Sequence, residues 1–553
     1  MWQAQLVELK RQFENIDKEN LSCHKTVFIS VCDTENRAIV VKACEKDWDQ
    51  SFSKASEKLE KRLKKKNINP KWLKLDWVVS ENKMSYKEFI EAINLYKANY
   101  FRYGIAFDDN YTFAFLEQEL NSNAIIQDRG DQTQAIAWNN VKFYIKGNYD
   151  ISVELNDQMV NSVILFETNA LFIDEEMNCY ELNSYGLKNG VRKIDELSIE
   201  FLENILRKSS QYLMKEINAQ GKYNYGYFPC FDKNIPTYNT LRHSSTTYSL
   251  VEVYEITRDE LLLNKIRSAI DYVIDNDFVS IKLGLDEKGF ILEENEDREI
   301  KLGANAVTIL AIVKYYEITK DDRYNEIAIK LGHGIRHFQN SDGSFNHILS
   351  SSDYSVKEAS RIIYYDGEAA FALLKLYHLD KNPIWLAYVN QAFNYFIENN
   401  YEKYHDHWLS YCSCELFFVS KEEHILRFNL ANAQGIADFA LERITTYPTL
   451  LELFMATNRV LYYCQQNRLY PETLNAFDLD KIYQAMNHRA NYQLNGFLFP
   501  EVAMYFKKPS KILNGFYIRH HSFRVRIDDV EHNLSGYSNY YLAIREDRFF
   551  NPK

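Results

Sequence analysis

Tyr254-Glu-Ile-Thr-Arg-Asp259 recurs further along the chain as Tyr316-Glu-Ile-Thr-Lys-Asp321. A looser copy, Tyr377-His-Leu-Asp-Lys-Asn382, follows at an almost equal interval, and Phe417-Phe-Val-Ser-Lys-Glu422 comes after a shorter one. Self-similarity of this kind marks a chain built by repeating one supersecondary unit. Each copy lies where one apolar-periodic segment ends and another begins. Thr257 with Glu260, and Ser420 with Glu423, have the spacing of capping boxes, in which hydroxyl and carboxylate satisfy free backbone N–H groups reciprocally. Asn382 before Pro383 is the favoured N-cap and first-turn pair. The copies therefore read as tight turns between helices.

Working outward, apolar residues at i, i+3 and i+4 predict long helices over 196–217, 258–277, 320–339, 383–400, 421–442 and 477–492. Shorter helices rich in small residues lie between them, over 242–255, 303–317, 366–378, 406–418, 449–460 and 530–543. The turns from short to long helix are tight and capped, and those from long to short are mostly long loops. Six hairpins of this kind predict an (α/α)6 toroid with an outer ring, an inner ring and its long loops at one mouth. Gly221-Lys-Tyr223, Gly289-Phe290, Asp342-Gly-Ser-Phe345 and Asn495-Gly-Phe497 each follow an outer helix. Glycine supplies a left-handed cap there and the aromatic ring packs back. Gln339-Asn-Ser-Asp-Gly-Ser-Phe345 resembles the helix endings of the six-hairpin toroid superfamily, and the resemblance extends over 196–553. It implies an architecture shared by glycoside hydrolases, polysaccharide lyases, sugar epimerases, terpene cyclases and lanthipeptide cyclases, and leaves the chemistry open.

Residues 1–195 read as an α+β domain of unassigned role. Segments 27–31 and 38–42 suggest a hairpin, 48–66 a Lys/Glu helix, and 72–79, 135–145 and 163–173 strands. The charged segment 115–120 suggests an amphipathic helix. The fold class is thus mainly α, with an N-terminal α+β domain (1–195) and a C-terminal toroid (196–553).

Composition narrows the function. With 18 Gly and 9 Pro in 553 residues, the chain is too poor in turn formers for an all-β sandwich, a collagen or a disordered polymer. A net charge of −12 argues against nucleic acid as the main partner, and the basic run 58–66 reads as a solvated helix face. The longest apolar runs fall short of a membrane span. Segment 1–17 lacks a secretory apolar run, so the expected address is cytoplasmic. The eight cysteines, Cys23, Cys32, Cys44, Cys179, Cys230, Cys412, Cys414 and Cys464, form no CxxC pair and are expected to be free thiols.

In a toroid the first turns of the inner helices face one funnel. They carry Arg242, His243 and Tyr248; Asn305; Tyr364, Tyr365, Asp366 and Glu368; His405, His407 and Trp408; Glu452; and Arg524, Arg526, Asp528, Asp529 and His532. Singly each has an ordinary explanation: Asp366 as a helix cap, His243 as a core histidine, His405 and His407 as solvated loop residues. Jointly, charged groups facing an axis must be paired or functional. Glu368 or Asp366 facing Asp528 or Asp529 would supply the acid and base of a glycosidase, with Glu368 and Asp528 the first choice. Arg242 and Arg526 would bind an anionic sugar, and Asn305, Tyr365, Trp408, Glu452 and Tyr248 would line the substrate. Arg519 and Arg524 fit the same role or that of loop anchors, and Tyr223, Tyr225, Tyr227 and Phe228 could stack on sugars.

A second route uses His243, His407 and His532 as acid and base in epimerisation or β-elimination; the resemblance to sugar epimerases implies such a histidine pair, without a match to their full pattern. Zinc held by Cys412, Cys414, His405 and His407 is disfavoured, because Cys412 and Cys414 lie about 200° apart around a helix. No metal and no cofactor is expected. The sequence thus points to a carbohydrate-active enzyme, glycoside hydrolase-like and acting on an anionic glycan. The alternatives are a sugar epimerase or lyase, a non-catalytic ligand- or peptide-binding toroid, and a lanthipeptide-cyclase-like protein.

Overall fold

The computed structural model describes residues 2–16, 24–131, 133–283 and 286–552. The chain divides into two compact units. The first comprises Met1–Glu196, Tyr227–Asn234 and Asn495–Val525, and the second Leu197–Gly226, Ile235–Leu494 and Arg526–Lys553.

The first unit is β-rich. Its strands are β1 (Lys25–Cys32), β2 (Ile39–Glu45), β3 (Trp72–Ser85), β4 (Gly104–Ala106), β5 (Ala114–Phe115), β6 (Ser162–Ile173) and β7 (Cys179–Leu182). They pair antiparallel in the order β2-β1-β3-β6-β4-β5, with β7 on β6. Strand alternation sends Val27, Ile29 and Val31 to one core, where helices α1 (Trp2–Glu14) and α2 (Trp48–Lys66) contribute Leu9, Phe13 and Leu59. Phe28 and Cys32 face the opposite core with Phe166, Met504 and Tyr505. Segment 135–145 departs from expectation. Only Gln134–Ile136 is extended, and α3 (Trp138–Tyr149) follows, because Val141 and Ile145 one turn apart fill the core as a helix. Segment 115–120 holds the short helix Glu117–Ser122, whose Glu117 is buried between Arg102 (3.3 Å) and Arg519 (3.1 Å). Arg519 is thus a loop anchor. Seven cysteines are free thiols, and Cys23 lies outside the described residues.

The described residues of the second unit form twelve long helices. They are α4 (Ile199–Glu216), α5 (Thr240–Thr257), α6 (Glu260–Asp277), α7 (Leu302–Thr319), α8 (Asn325–Phe338), α9 (Tyr364–Asp380), α10 (Pro383–Glu398), α11 (His407–Ser420), α12 (Glu423–Glu442), α13 (Thr449–Asn467), α14 (Leu479–Tyr492) and α15 (Ile527–Arg545). The odd-numbered helices α5 to α15 pack each on the next, and α15 packs back on α5, so six helices close a ring. The even-numbered helices lie against it, α4 on α5 and α15, α8 on α7 and α9, α12 on α11 and α13. Inner helices are buried nearly all round, as in Leu302–Val313 of α7, while outer helices keep an exposed face. The inner helices are not the shorter set: α13 and α15 each run 19 residues, α13 continuing past the expected end at 460 and α15 starting at Ile527, ahead of its polar Asp528–Asp529 turn.

The repeated motif has a clear physical meaning. Inner helices end on Arg258, Lys320, Lys381, Lys421 and Arg468, all left-handed, with φ of 51°, 62°, 59°, 58° and 55°. In the first four the cap N–H donates to the carbonyl of Tyr254, Tyr316, Tyr377 or Phe417, and the cation lies over the same ring at 5.4–5.8 Å. The Asn382–Pro383 cap forms. The two capping boxes do not. Asp259 accepts from Leu261 N and Leu262 N instead, Thr257 donates back to Val253 O, and Ser420 accepts from Glu422 N. No described helix is long and apolar enough to cross a membrane.

Gly343 has φ +99°, and a Cβ there would lie 2.3 Å from Gln391 O on α10. Gly343→Ala is expected to lose about 1–3 kcal/mol in urea unfolding, while Lys320→Gly, which relieves a left-handed side chain, gains up to about 1 kcal/mol.

Candidate functional site

The first turns of the inner helices meet on the axis of the second unit. Asp528, Glu531 and His532 of α15 stand at i, i+3 and i+4, so one helix face presents all three. Asp528 is ion-paired with Arg242 of α5 (2.8 Å) and with Arg526 (2.7 Å). Arg526 also forks onto Asp529, whose carboxylate caps the start of α15 (Nε 3.0 Å, Nη2 2.6 Å). His532 places Nδ1 2.9 Å from Glu452 of α13 and Nε2 3.5 Å from Asp528 and 3.4 Å from Glu531. Glu531 in turn accepts from Ser245 of α5 (2.8 Å).

The His407 ring stands nearly perpendicular to that of His532, with centroids 5.1 Å apart. Its Nδ1 lies 3.4 Å from Asp406, and its Nε2 has no hydrogen-bond partner. Glu368 of α9 is buried with Oε2 equally unpartnered. Two glycines make room for these carboxyls. A Cβ on Gly303 would lie 2.3 Å from Glu368 Oε2, and one on Gly367 2.3 Å from Asp406 Oδ2.

The electrostatics separate the groups into opposite protonation states. Burial pushes Glu368 up to about 8 against the pull of Arg242, with Asp406 adding to the rise. Burial likewise raises Glu452 and Glu531 to about 7, although His532 opposes it in both, and lifts Asp406 well above the carboxylate range. Burial would raise Asp528 too, but Arg242, His532 and Arg526 outweigh it and hold the carboxyl well below its ordinary value. Burial disfavours the His532 cation, yet Glu531 and Glu452 raise its pKa well above that of a free imidazole. His407 is depressed well below it by burial and by the neighbouring cations His532 and Arg242. His407 is therefore a neutral base beside an imidazolium.

Of the expected site residues, Arg242, Glu368, His407, Glu452, Arg526, Asp528 and His532 come together. Tyr365 is buried beside Glu368 at the Gly303 gap, and Tyr225 OH meets Arg526 Nη1 at 3.4 Å. Others have structural work elsewhere. His243 bonds Ala269 O (2.9 Å) and Tyr238 OH (2.8 Å), and burial pushes it down to about 4. Asn305 ties Ile291 N to Lys301 O. Asp366 turns to His347 (3.3 Å), whose Nδ1 accepts from Arg361 N and Ile362 N. Asp529 is the cap partner of Arg526. Trp408 and Tyr248 are buried and pack with Phe371 and Tyr411, and Tyr248 lines a cavity towards the C-terminal ends of the helices. Tyr223 is buried edge-on against His243. Tyr227, Phe228 and Arg524 belong to the first unit. Glu531 and Asp406 escaped sequence reasoning, though the i, i+3, i+4 spacing of Asp528, Glu531 and His532 pointed to the former.

Cys412, Cys414, His405 and His407 do not bring ligand atoms within 4.8 Å of one another, and His405 bonds Asn432 O instead. Two other sets bring ligand atoms within 4.8 Å of one another: His407, Glu452 and His532, and Asp528, Glu531 and His532.

No family model and no curated protein matches this chain. Among solved structures it is similar to the GH76A alpha-1,6-mannanase from Salegentibacter sp. HEL1_6 (12% identity, 62% of this chain, 99% of that one, TM-score 0.44). It is also similar to a sugar epimerase from a ruminal bacterium (12%, 62%, 98%, 0.48) and to cellobiose 2-epimerase from Bacillus thermoamylovorans B4167 (12%, 62%, 99%, 0.46).

A carboxyl raised on folding favours the native state below its unfolded pKa and forfeits that advantage as pH rises towards the folded value. Glu368→Gln is accordingly expected to match the wild type in stability near pH 4.5 and to exceed it by a few kcal/mol at pH 8, in urea unfolding at the two pH values.

Proposed function

We propose that the second unit is an acid/base enzyme that moves a proton at a carbon next to the carbonyl of a sugar, epimerising or isomerising it. One observation carries this reading: two imidazoles from different helices stand 5.1 Å apart with their pKa values driven in opposite directions. Proton transfer of this kind needs a base that is free and an acid that is charged at the same pH. His407 Nε2, neutral and unpartnered, takes the proton from carbon. His532, kept cationic by Glu452 and Glu531, gives one to the developing oxyanion. Glu368, neutral at pH 7, offers a hydrogen bond to a substrate hydroxyl. Asp528 is clamped by two arginines and acts as a brace, fixing Arg242 and Arg526 rather than serving as a base. An acidic sugar would have to compete with Asp528 for Arg242, so a neutral sugar is the simpler fit. The choice of sugars as the substrate class rests on the resemblance of the helix endings and on the half-buried rings of Tyr225 and Tyr364 at the helix starts.

Glycoside hydrolysis is a second reading, favoured by the unpartnered Oε2 of Glu368 and its pKa of about 8, which suit a general acid. Here the base falls to Glu531 or Glu452 rather than Asp528.

Incubation with a panel of reducing sugars in D2O distinguishes the two. Loss of the α-C–H proton signal with appearance of an epimer supports proton transfer, and new reducing ends from oligosaccharides support hydrolysis. On an active substrate His407→Asn should lower kcat by about 10²–10⁴ with KM changed little. Glu452→Gln removes a negative charge from His532, lowers its pKa, and should move the alkaline limb of the pH–kcat profile to lower pH.

A further inference from the structure

The C-terminal halves of the same six helices enclose a cavity of about 810 Å³, lined from α5 by Tyr248 and Glu252 and from α9 by Phe371 and Lys375. Its walls are stitched by ion pairs between neighbouring helices: Glu255–Lys314 (2.6 Å), Glu317–Lys375 (2.6 Å), Glu415–Lys375 (3.6 Å) and Glu415–Arg459 (3.4 Å). Arg548, the remaining lining cation, pairs with Glu546 (2.9 Å). Five lining carboxylates thus face four lining cations, and each cation already has a carboxylate. Glu252 is the carboxylate left over. It is 6% exposed, Oε1 takes a long bond from the Asn539 amide (3.4 Å), and Oε2 has no hydrogen-bond partner. The rings of Tyr248, Phe371 and Tyr411 lie beside it on the lining. Helix C-termini add partial negative charge at this end.

We infer that this cavity is a binding site for an organic ammonium ion, with the nitrogen on the Glu252 carboxylate and the carbon skeleton on the Tyr248 and Phe371 rings. An anion finds no unpaired cation among those lining residues. A neutral sugar would leave the buried carboxylate without a counter-charge, which is costly. A bare metal ion would gain nothing from the aromatic faces that an organic cation uses, and it would fill little of the volume. The site lies towards the opposite helix ends from His407 and His532, and Glu452, the partner of His532, stands between the two and feels the Glu252 charge.

Putrescine and choline, titrated calorimetrically into the full chain beside the neutral 1,4-butanediol and beside KCl, test this. At least one amine should bind, at least tenfold more tightly than the diol or potassium. Glu252→Gln should weaken it at least tenfold, and His407→Asn should leave it within twofold. Failure of both amines to bind, equal binding of the diol or of potassium, survival of affinity in Glu252→Gln, or its loss in His407→Asn would each overturn the assignment. The wild type gives a check free of folding effects. Glu252, pushed up to about 7 by burial, faces Lys314 of α7, Tyr411 of α11, Glu452 of α13, Ser535 and Asn539 of α15 and Glu255 of its own helix. Only the ionised form holds a cation, so affinity should fall by up to tenfold per unit below about pH 7, and a flat profile between pH 6 and 8 overturns the proposal.

Discussion

A ring of helices must join its first member to its last, and here that seam is polar. Arg242 of α5 grips Asp528 of α15, Ser245 donates to the Glu531 carboxylate, and Ser249 donates to the Glu531 carbonyl (3.0 Å). The serines and threonines of α5 are small enough to let α15 approach and polar enough to satisfy it. Without this junction the axis would open between two helices far apart in sequence, and neither histidine would be held. The seam therefore fixes both the closure of the fold and the placing of α15, which supplies Asp528, Glu531 and His532.

The same seam explains the charge state of the axis. Asp406, Glu368, Glu452, Asp528, Glu531 and Asp529 crowd around two arginines and two imidazoles. Burial away from water favours the neutral carboxyl over the carboxylate, so Glu368, Glu452, Glu531 and Asp406 all shift upward. Asp528, bound directly by Arg242 and Arg526, is held the other way. The axis thus holds ionisable protons near neutrality, and their location follows from which carboxylate the guanidinium groups reach.

Much of this was legible in the sequence and some could not be. The capped turns located the hairpins, and counting them gave the twelve helices. The Trp48–Lys66 helix was readable because its apolar stripe is regular. Segment 135–145 was not, since Ala135, Ile136, Val141 and Ile145 satisfy period two and period 3.6 almost equally over so short a run. In the site, Arg242, Glu368, His407 and His532, singled out from their places near the inner-helix starts, lie together on the axis. Such a place could not say which way a side chain turns: one step along a helix rotates it by about 100°, and that carries His243 away from the axis while Arg242 points to it. Asn305 and Asp366 turn aside in the same way, to the backbone of Ile291 and Lys301 and to the His347 ring. Which charged pair forms, and so which carboxyl stays neutral, depends on distances between helices that no spacing along the chain encodes.

The first unit is discontinuous, and this bears on the order of events during synthesis. Its sheet comes from the segment ahead of Leu197, yet Met504 and Tyr505 sit in the core with Phe28 and Phe166, Tyr505 donates to Ser30 (2.9 Å), and Glu501 pairs with Arg192 (2.6 Å). As a ribosome delivers the chain from its N-terminus, this sheet waits with one apolar face incomplete while nearly all the helical hairpins emerge. Residues 1–196 expressed alone would carry that same uncovered face. The unit begun first is therefore completed only after eleven of the twelve long helices have been made, with α15 alone still to come.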